Sequence, residues 1–467
     1  MILNQIKYIY LLGIGGIGMS ALARYFKAAG MDVCGYDKTP TPLTGELMAE
    51  GIEVHFEDDL NKLPDFVSGD QLNDKALVIY TPAIPKDHRE FNHLKSKGYR
   101  MWKRSEVLGL LTRGTTTLAV AGTHGKTTTS TMIAHILKAS GVNCTAFLGG
   151  ISKNYNTNLL LGNPNGPGHM IVVEADEYDR SFLQLHPAYA MITSLDADHL
   201  DIYGDRDSMV NSYREFAGQV SPEGKLVVKS GADFAMSGLN FSTYSLKAES
   251  DYHADQVRVE DGSYVFNIVA PKGTVENLKL NWPGRHNVEN AVGAYALCHA
   301  CGISPEAFRS ALSSFQGVRR RFDYQLKTNE VVFIDDYAHH PEELRACIAS
   351  VKELYPGQKI LGMFQPHLFT RTRDFADGFG ESLSMLDELI LLDIYPAREL
   401  PIPGVTSQMI LDKVTSSVKQ LCSRNEWQQA VMNSDARIIL TLGAGDIDQL
   451  VEPVRNLLSE KYLKQNA

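Results

Sequence analysis

The chain has 467 residues, 44% hydrophobic and 21% charged, an ordinary globular balance with room for about three domains. Forty-five basic residues against 55 acidic ones leave a net charge of −10, which argues against a nucleic-acid partner, because phosphate backbones reward an excess of Lys and Arg. Six scattered cysteines are too few for a disulfide framework, and neither a basic leader with a cleavage site nor an apolar run of about 18 residues appears, so a cytoplasmic protein with no membrane partner is expected.

Three times an apolar strand-like run leads into a glycine turn and then a helical pattern: at Tyr8–Phe26, at Leu118–Leu137 and at Ile438–Val451. Strands alternating with helices imply mainly parallel sheets, so the expected fold class is α/β with three such domains. Composition places the breaks near Gly114 and Val318, giving domains 1–114, 115–318 and 319–467. Residues Leu226–Trp282 alternate irregularly and suggest antiparallel strands of undefined order.

In the first start, Gly13, Gly15, Gly16 and Gly18 spell G-x-G-x-x-G between strand and helix, and Asp37 follows 19 residues after Gly18. The helix N-terminus suits a diphosphate and the acid a ribose. NAD and a UDP-sugar satisfy that chemistry equally, and a ligand-free tight turn is the bland alternative.

The second start carries the strongest chemical signal: Gly122-Thr123-His124-Gly125-Lys126-Thr127-Thr128. Its backbone amides would face a nucleotide triphosphate, Lys126 would reach the outer phosphates, and Thr127 would ligate Mg²⁺. Val120 stands where the strict motif has its first glycine, so this is a shorter loop. An apolar run then ends at Glu174, the best carboxylate for Mg²⁺, while Asp176, Glu177 and Asp179 can be read as solvated loop charges. A second such run ends in Asp196, Asp198 and His199, where a metal-ligand role and a structural one are equally open. Cys298 and Cys301 form a C-x-x-C inside one helical run with no second pair, and packing is the expected role.

Late in the chain a predicted strand at Val331–Ile334 is followed by Asp335, Asp336, Tyr337, His339 and His340, and a further segment brings His367, Arg371 and Arg373. Such residues can hold a phosphate and an amino-acid carboxylate, the latter through the arginine fork. A solvated charged surface would look the same.

Taken together these motifs resemble the Mur ligases, the ATP-dependent enzymes that build the peptidoglycan stem peptide. The anchors run along nearly the whole chain: GIGGIGMSALA at Gly13–Ala23, AGTHGKTTT at Ala121–Thr129, EADEYDRSFL at Glu174–Leu183, DADHLDIY at Asp196–Tyr203, GRHNVENA at Gly284–Ala291, RRRFD at Arg319–Asp323, DDYAHHP at Asp335–Pro341 and FQPHLFTRTRDF at Phe364–Phe375. The resemblance implies ATP and Mg²⁺ as cofactors, and UDP-N-acetylmuramate and L-alanine as the molecules joined, through an acyl phosphate, by a monomer or homodimer. It implies UDP-sugar binding at Gly13–Gly18, and ATP and metal contacts at Lys126, Thr127, Glu174 and His199. It implies adenine-side contacts at Asn287 and Asn290, further nucleotide contacts at Arg321 and Asp336, and the amino acid near Tyr337, His339 and Arg371. His339 and His340 are candidates by type for the base that takes the amine proton. The sequence departs from the family pattern at Ser194 and at Leu368. A relative that ligates a recycled murein tripeptide is the alternative reading; an NAD-dependent oxidoreductase and a non-catalytic nucleotide switch stand further off.

Overall fold

The computed structural model describes residues 5–69, 71–196, 200–232, 236, 238–260, 262–397, 399–423 and 426–462. The chain forms two compact units: Met1–Gln256 with Phe266–Lys279 and Glu289–Gln316, and Val257–Val265 with Leu280–Val288 and Gly317–Ala467. Three sheets carry the architecture.

The first sheet contains β1 (Tyr8–Leu12), β2 (Asp32–Tyr36), β3 (Glu53–His55), β4 (Ala76–Tyr80) and β5 (Met101–Lys103) in the order β3-β2-β1-β4-β5, all parallel. Its central strands YIYLL and ALVIY are unbroken apolar runs, as parallel strands covered on both faces must be. The order reverses between β1 and β4, which puts a crevice at the end of β1, where Gly13 begins.

The second sheet contains β6 (Thr116–Ala121), β7 (Cys144–Ser152), β8 (Thr157–Leu160), β9 (Met170–Glu174), β10 (Tyr189–Ile192), β11 (Lys225–Lys229), β12 (Ser242–Ser245), β13 (Tyr252–Glu260), β14 (Ser263–Ala270) and β15 (Gly273–Leu280). The order is β15-β14-β13-β12-β11-β10-β6-β9-β7-β8. β6 therefore lies between β9 and β10, parallel to both. Within the stretch expected to hold antiparallel strands, β11, β12 and β13 pair in parallel. The twelve residues between Lys229 and Ser242 allow the crossover that a parallel return needs.

The third sheet contains β16 (Asp323–Lys327), β17 (Val332–Asp336), β18 (Ile360–Phe364), β19 (Glu388–Leu391), β20 (Val418–Leu421) and β21 (Ile438–Leu442), ordered β16-β17-β21-β18-β19-β20. Only the edge strand β16 is antiparallel. β17 runs two residues past its predicted end, so Asp335 and Asp336 lie within the strand, both buried. The cores are aliphatic and aromatic: Ile9, Leu11, Phe26 and Ile79 in the first unit, Phe333, Met363, Ile390 and Ile439 in the second, each contributing about 1.5–3 kcal/mol of burial.

The helix Arg285–Ala300 carries Cys298 in its last turn, and Cys301 follows in the turn just past its end. Cys298 is fully buried, and burial holds both thiols above their ordinary range, Cys301 at about 12. Neither is disulfide-bonded. These are packing residues, as expected.

Candidate active site

β6 is buried from Thr117 onward and delivers the chain into the glycine loop. Gly122 (φ 130°) has no room for a side chain, because a Cβ would strike Thr193 and the Ser194 amide. Gly125 is left-handed (φ 82°) and caps the helix Lys126–Ala139 without any side-chain cap. The first-turn amides of that helix therefore lack a capping side chain, which suits an anion. The Asn290 carboxamide lies directly over Gly125.

The loop is tied to the end of β10. Thr123 Oγ1 and Ser194 Oγ are 2.7 Å apart, the His124 amide donates to Ser194 Oγ at 2.9 Å, and the Asp196 amide donates to Thr123 Oγ1 at 3.1 Å. The Thr193 hydroxyl closes the set by donating to the His124 carbonyl. Ser194, one of the two departures from the family pattern, is thus a tether of the phosphate loop.

Lys126 does not extend into open space. Its Nζ donates to the Gly122 carbonyl at 2.6 Å and the Thr123 carbonyl at 3.2 Å, and pairs with Glu177 at 2.8 Å. The two side chains are 13% and 2% exposed. Burial disfavours the ammonium, but Glu177 first and then Glu174 outweigh it and hold the Lys126 pKa above its ordinary value. The reading of Asp176, Glu177 and Asp179 as solvated charges is therefore corrected for Glu177 alone, the other two being paired but partly exposed. Asp176 pairs with Arg104 at 2.7 Å, Asp179 with Lys103 at 2.7 Å, and Glu177 is buried. The chain turns through left-handed Asp179 and Arg180 (φ 54° and 53°), which folds the acidic run back on itself.

Glu174 ends β9 opposite Val120, two residues before Gly122. Its carboxylate occupies the space where a Cβ of Gly149 would be. That glycine makes a cradle for a carboxylate beside the phosphate loop, a hard-oxygen position that fits Mg²⁺. Thr127 sits half-buried in the first helical turn, and its carbonyl accepts the Ser130 and Thr131 hydroxyls. Thr128 is buried behind it. His199 lies outside the described residues.

In the N-terminal sheet the Gly13 and Ile14 amides donate to the Tyr36 carbonyl, at 2.8 and 2.9 Å. Asp37, expected on a ribose, accepts the Gly15 amide at 2.8 Å and the Thr39 amide at 3.2 Å; it fastens the glycine turn itself. Gly16 precedes the helix Ile17–Ala28 as its cap. Gly18 leaves room for the Arg104 guanidinium, which a Cβ there would displace. Ile17, Gly18, Arg104, Gly149, Glu174 and Asp176 help line a cavity of about 90 Å³. Sequence reasoning missed Arg104; its only signal was the basic pair Lys103-Arg104 ahead of the EADEYD acids that hold it.

In the second unit, Asp336 accepts the Phe322 amide at 2.6 Å and the Ala338 amide at 2.8 Å. Burial pushes its pKa up to about 6 against the pull of Arg321. Both of its oxygens thus brace the turn that carries Arg320 and Arg321. Those guanidiniums lie 5.2 and 5.0 Å from the Tyr337 ring centre, and Arg321 is 3.6 Å from Glu343. Asp335 accepts from Thr441 Oγ1 and from Arg320.

His339 lies 3.2 Å from Glu343, and its ring faces His367, which sits 3.5 Å from the buried Arg371. Burial pushes the His339 pKa down to about 4, more than Glu343 raises it. Such an imidazole is a weak base, which argues against it as the proton acceptor for an ammonium substrate. His340 caps the helix Pro341–Leu354 through the Glu342 amide and packs on Phe375, a structural post. Leu368, the second departure, is left-handed (φ 71°) at the head of the helix that carries Arg371, a conformation that costs a non-glycine residue about 1–3 kcal/mol. Asn287 donates to the Pro283 carbonyl at 2.5 Å, one turn before Asn290 on the same helix.

A phosphate loop with a buried lysine, a cradled carboxylate beside it and a glycine-turn sheet in the same unit define an ATP-dependent amide-forming ligase. Models of the Mur ligase family catalytic domain, the Mur ligase middle domain and the Mur ligase glutamate ligase domain match residues 8–116, 120–298 and 320–445. The chain belongs to the Mur ligase family. It is 50% identical over 461 residues to the UDP-N-acetylmuramate–L-alanine ligase of Flavobacterium johnsoniae, covering 98% of this chain and 100% of that one. It is 52% identical over 458 residues to the enzyme of the same name from Porphyromonas gingivalis, covering 97% and 99%. Among solved structures, the UDP-N-acetylmuramate–alanine ligase MurC of Thermotoga maritima superposes with a TM-score of 0.81 at 28% identity, covering 97% of this chain and 100% of that one.

Proposed function

We propose that this chain joins L-alanine to the lactyl carboxylate of UDP-N-acetylmuramate at the expense of ATP, giving an amide, ADP and phosphate. The observation that carries this is identity of about 50% along essentially the whole length of relatives bearing that activity in their names, supported by a glycine loop with Lys126, the Ser194 tether and the Glu174 carboxylate beside it.

A carboxylate oxygen attacks the γ-phosphorus and ADP leaves. The amine nitrogen then attacks the acyl carbon, phosphate leaves with the C–O bond pair, and the amine proton passes to a base. The protein supplies no nucleophile. Its task is to let two anions meet. Lys126, released from Glu177, would pair with the outer phosphates. Thr127, Glu174 and His199 would hold Mg²⁺, which supplies charge neutralisation when bound. Arg104, at the head of the 90 Å³ cavity and held by Asp176, would face the anionic sugar nucleotide. Asn287, Asn290 and Arg321 would contact the nucleotide, with Asp336 bracing the turn. Tyr337, His339 and Arg371 would receive the amino acid.

The test is phosphate release with ATP, Mg²⁺ and UDP-N-acetylmuramate, comparing L-alanine, the murein tripeptide and no amine. Release with L-alanine alone is expected. Release with the tripeptide alone would assign the chain to the recycling reaction.

A further inference from the structure

The helix Phe369–Asp374 carries Arg371, yet its own first residues do not secure its start. Leu368 stands at the cap position, left-handed (φ 71°), with no side-chain oxygen to accept a first-turn amide. The first amides of a helix have no intrahelical partner and need an oxygen from elsewhere. This helix is only six residues long, too short to hold its direction by its own hydrogen bonds.

The oxygen comes from the loop that follows β19. Glu399 Oε2 accepts the Thr370 amide at 3.0 Å across 29 residues of chain, and Glu399 Oε1 accepts the Thr370 hydroxyl. The same loop grips the turn that leads into the helix. The Tyr395 amide donates to the Pro366 carbonyl at 2.8 Å, and the Leu368 amide donates to the Tyr395 carbonyl at 2.9 Å. The Tyr395 ring lies over His367, with centres 5.7 Å apart and planes 23° from parallel. The loop closes on itself where the Glu399 amide donates to the Pro396 carbonyl at 2.8 Å. Pro366, Leu368 and Thr370 are thus all bonded to Tyr395 or Glu399, and these bonds hold Leu368 in its costly conformation. Arg371 follows Thr370 directly; it is buried, with Nη1 3.5 Å from His367 Nδ1.

We propose that Glu399 is a positioning residue for the amino-acid substrate: it caps the helix Phe369–Asp374 from outside and so sets the direction of the Arg371 guanidinium. The inference rests on the ligase reading above, in which Arg371 receives the amino acid. A guanidinium fork pairs with a carboxylate through two parallel hydrogen bonds, so a small rotation of its helix breaks one of them. A carboxylate at the helix start also complements the helix dipole, which a neutral cap does less well. The role falls to Glu399 because Leu368, where the chain departs from the family pattern, has no oxygen to offer.

The experiment measures KM for L-alanine in the full chain by phosphate release at saturating ATP and UDP-N-acetylmuramate, and KM for ATP beside it. Glu399→Ala should raise KM for L-alanine on the order of tenfold, the size of a lost charged cap, with KM for ATP unmoved. Glu399→Gln keeps an oxygen for the Thr370 amide and should recover most of that loss. Thr370→Val removes only the hydroxyl bond; it should raise KM for L-alanine less, and should add nothing to Glu399→Ala. An L-alanine KM unchanged in Glu399→Ala overturns the proposal, as does an equal rise in both KM values, which would mark a purely structural cap. Should Glu399→Ala fail to fold, Thr370→Val decides alone, and an unchanged L-alanine KM there overturns the proposal. A wild-type chain whose phosphate release is indifferent to L-alanine would instead overturn the ligase reading, and this role with it.

Discussion

Removing Lys126 should cost stability as well as turnover. The Lys126–Glu177 pair is 2.8 Å apart and nearly inaccessible, and its Coulomb attraction is about 6 kcal/mol at an effective dielectric of about 20. Desolvation offsets much of that, but breaking one side of a buried pair typically costs about 3–5 kcal/mol because the remaining charge is stranded. Lys126→Met should therefore lower the melting temperature by about 10 °C, at about 2–4 °C per kcal/mol. Lys126→Met with Glu177→Leu should recover most of the loss. The stranded Glu177 carboxylate is buried, so protonating it relieves the single variant, which gains stability as pH falls while the double variant does not. Phosphate release should fall by about 10²–10³ in both, the usual effect of removing one transition-state charge contact. Thermal unfolding by circular dichroism across pH 5–8 and a coupled phosphate assay read the two effects separately. A coupling energy below about 1 kcal/mol, or more than about a tenth of the rate in Lys126→Met, would refute the reasoning.

Gly149→Ala places a Cβ in the Glu174 carboxylate and should raise the Mg²⁺ concentration needed for half-maximal rate by about 10–100-fold; an unchanged Mg²⁺ titration would remove Glu174 from the metal site. Gly18→Ala drives Arg104 from its contact with Asp176 and should raise KM for the sugar nucleotide about tenfold or more, the size of a charged hydrogen bond, with KM for ATP unmoved. His339 has its folded pKa depressed from 6.5 to about 4, so the folded state prefers the neutral ring and stability from this residue falls as pH drops from 6.5 toward 4. Asp336, raised to about 6, acts oppositely over that window. In His339→Gln the Asp336 effect stands alone: relative to wild type the variant should gain up to about 3 kcal/mol between pH 6.5 and 4, and parallel urea-unfolding curves across that range would contradict the assignment.

What was legible in the sequence was what one continuous segment specifies. A buried strand, a glycine and a helix start follow from local apolar runs and backbone freedom, so Gly13–Gly18 and Gly122–Thr127 fall where the residues alone put them. Pairings across segments were not legible, because they depend on strand order. β6 stands between β9 and β10, so the ends of those two strands arrive on either side of the phosphate loop. Ser194 comes from one side as tether and Glu174 from the other as carboxylate. A motif reading sees Glu174 because it ends an apolar run, and passes over Glu177, which shares its residue type and lies three positions on. Glu174 ends the strand whereas Glu177 lies past it, buried against Lys126, and that pairing is not announced by composition. Asp37 shows a second role beside the expected one. An acid at the right spacing after G-x-G-x-x-G reads as a ribose ligand, and here it also accepts the Gly15 amide. An unsatisfied amide inside a tight turn competes for the nearest carboxylate as strongly as a ligand hydroxyl does. Spacing can place an acid beside a site; which partner it takes is decided by the donors the fold leaves unpaired.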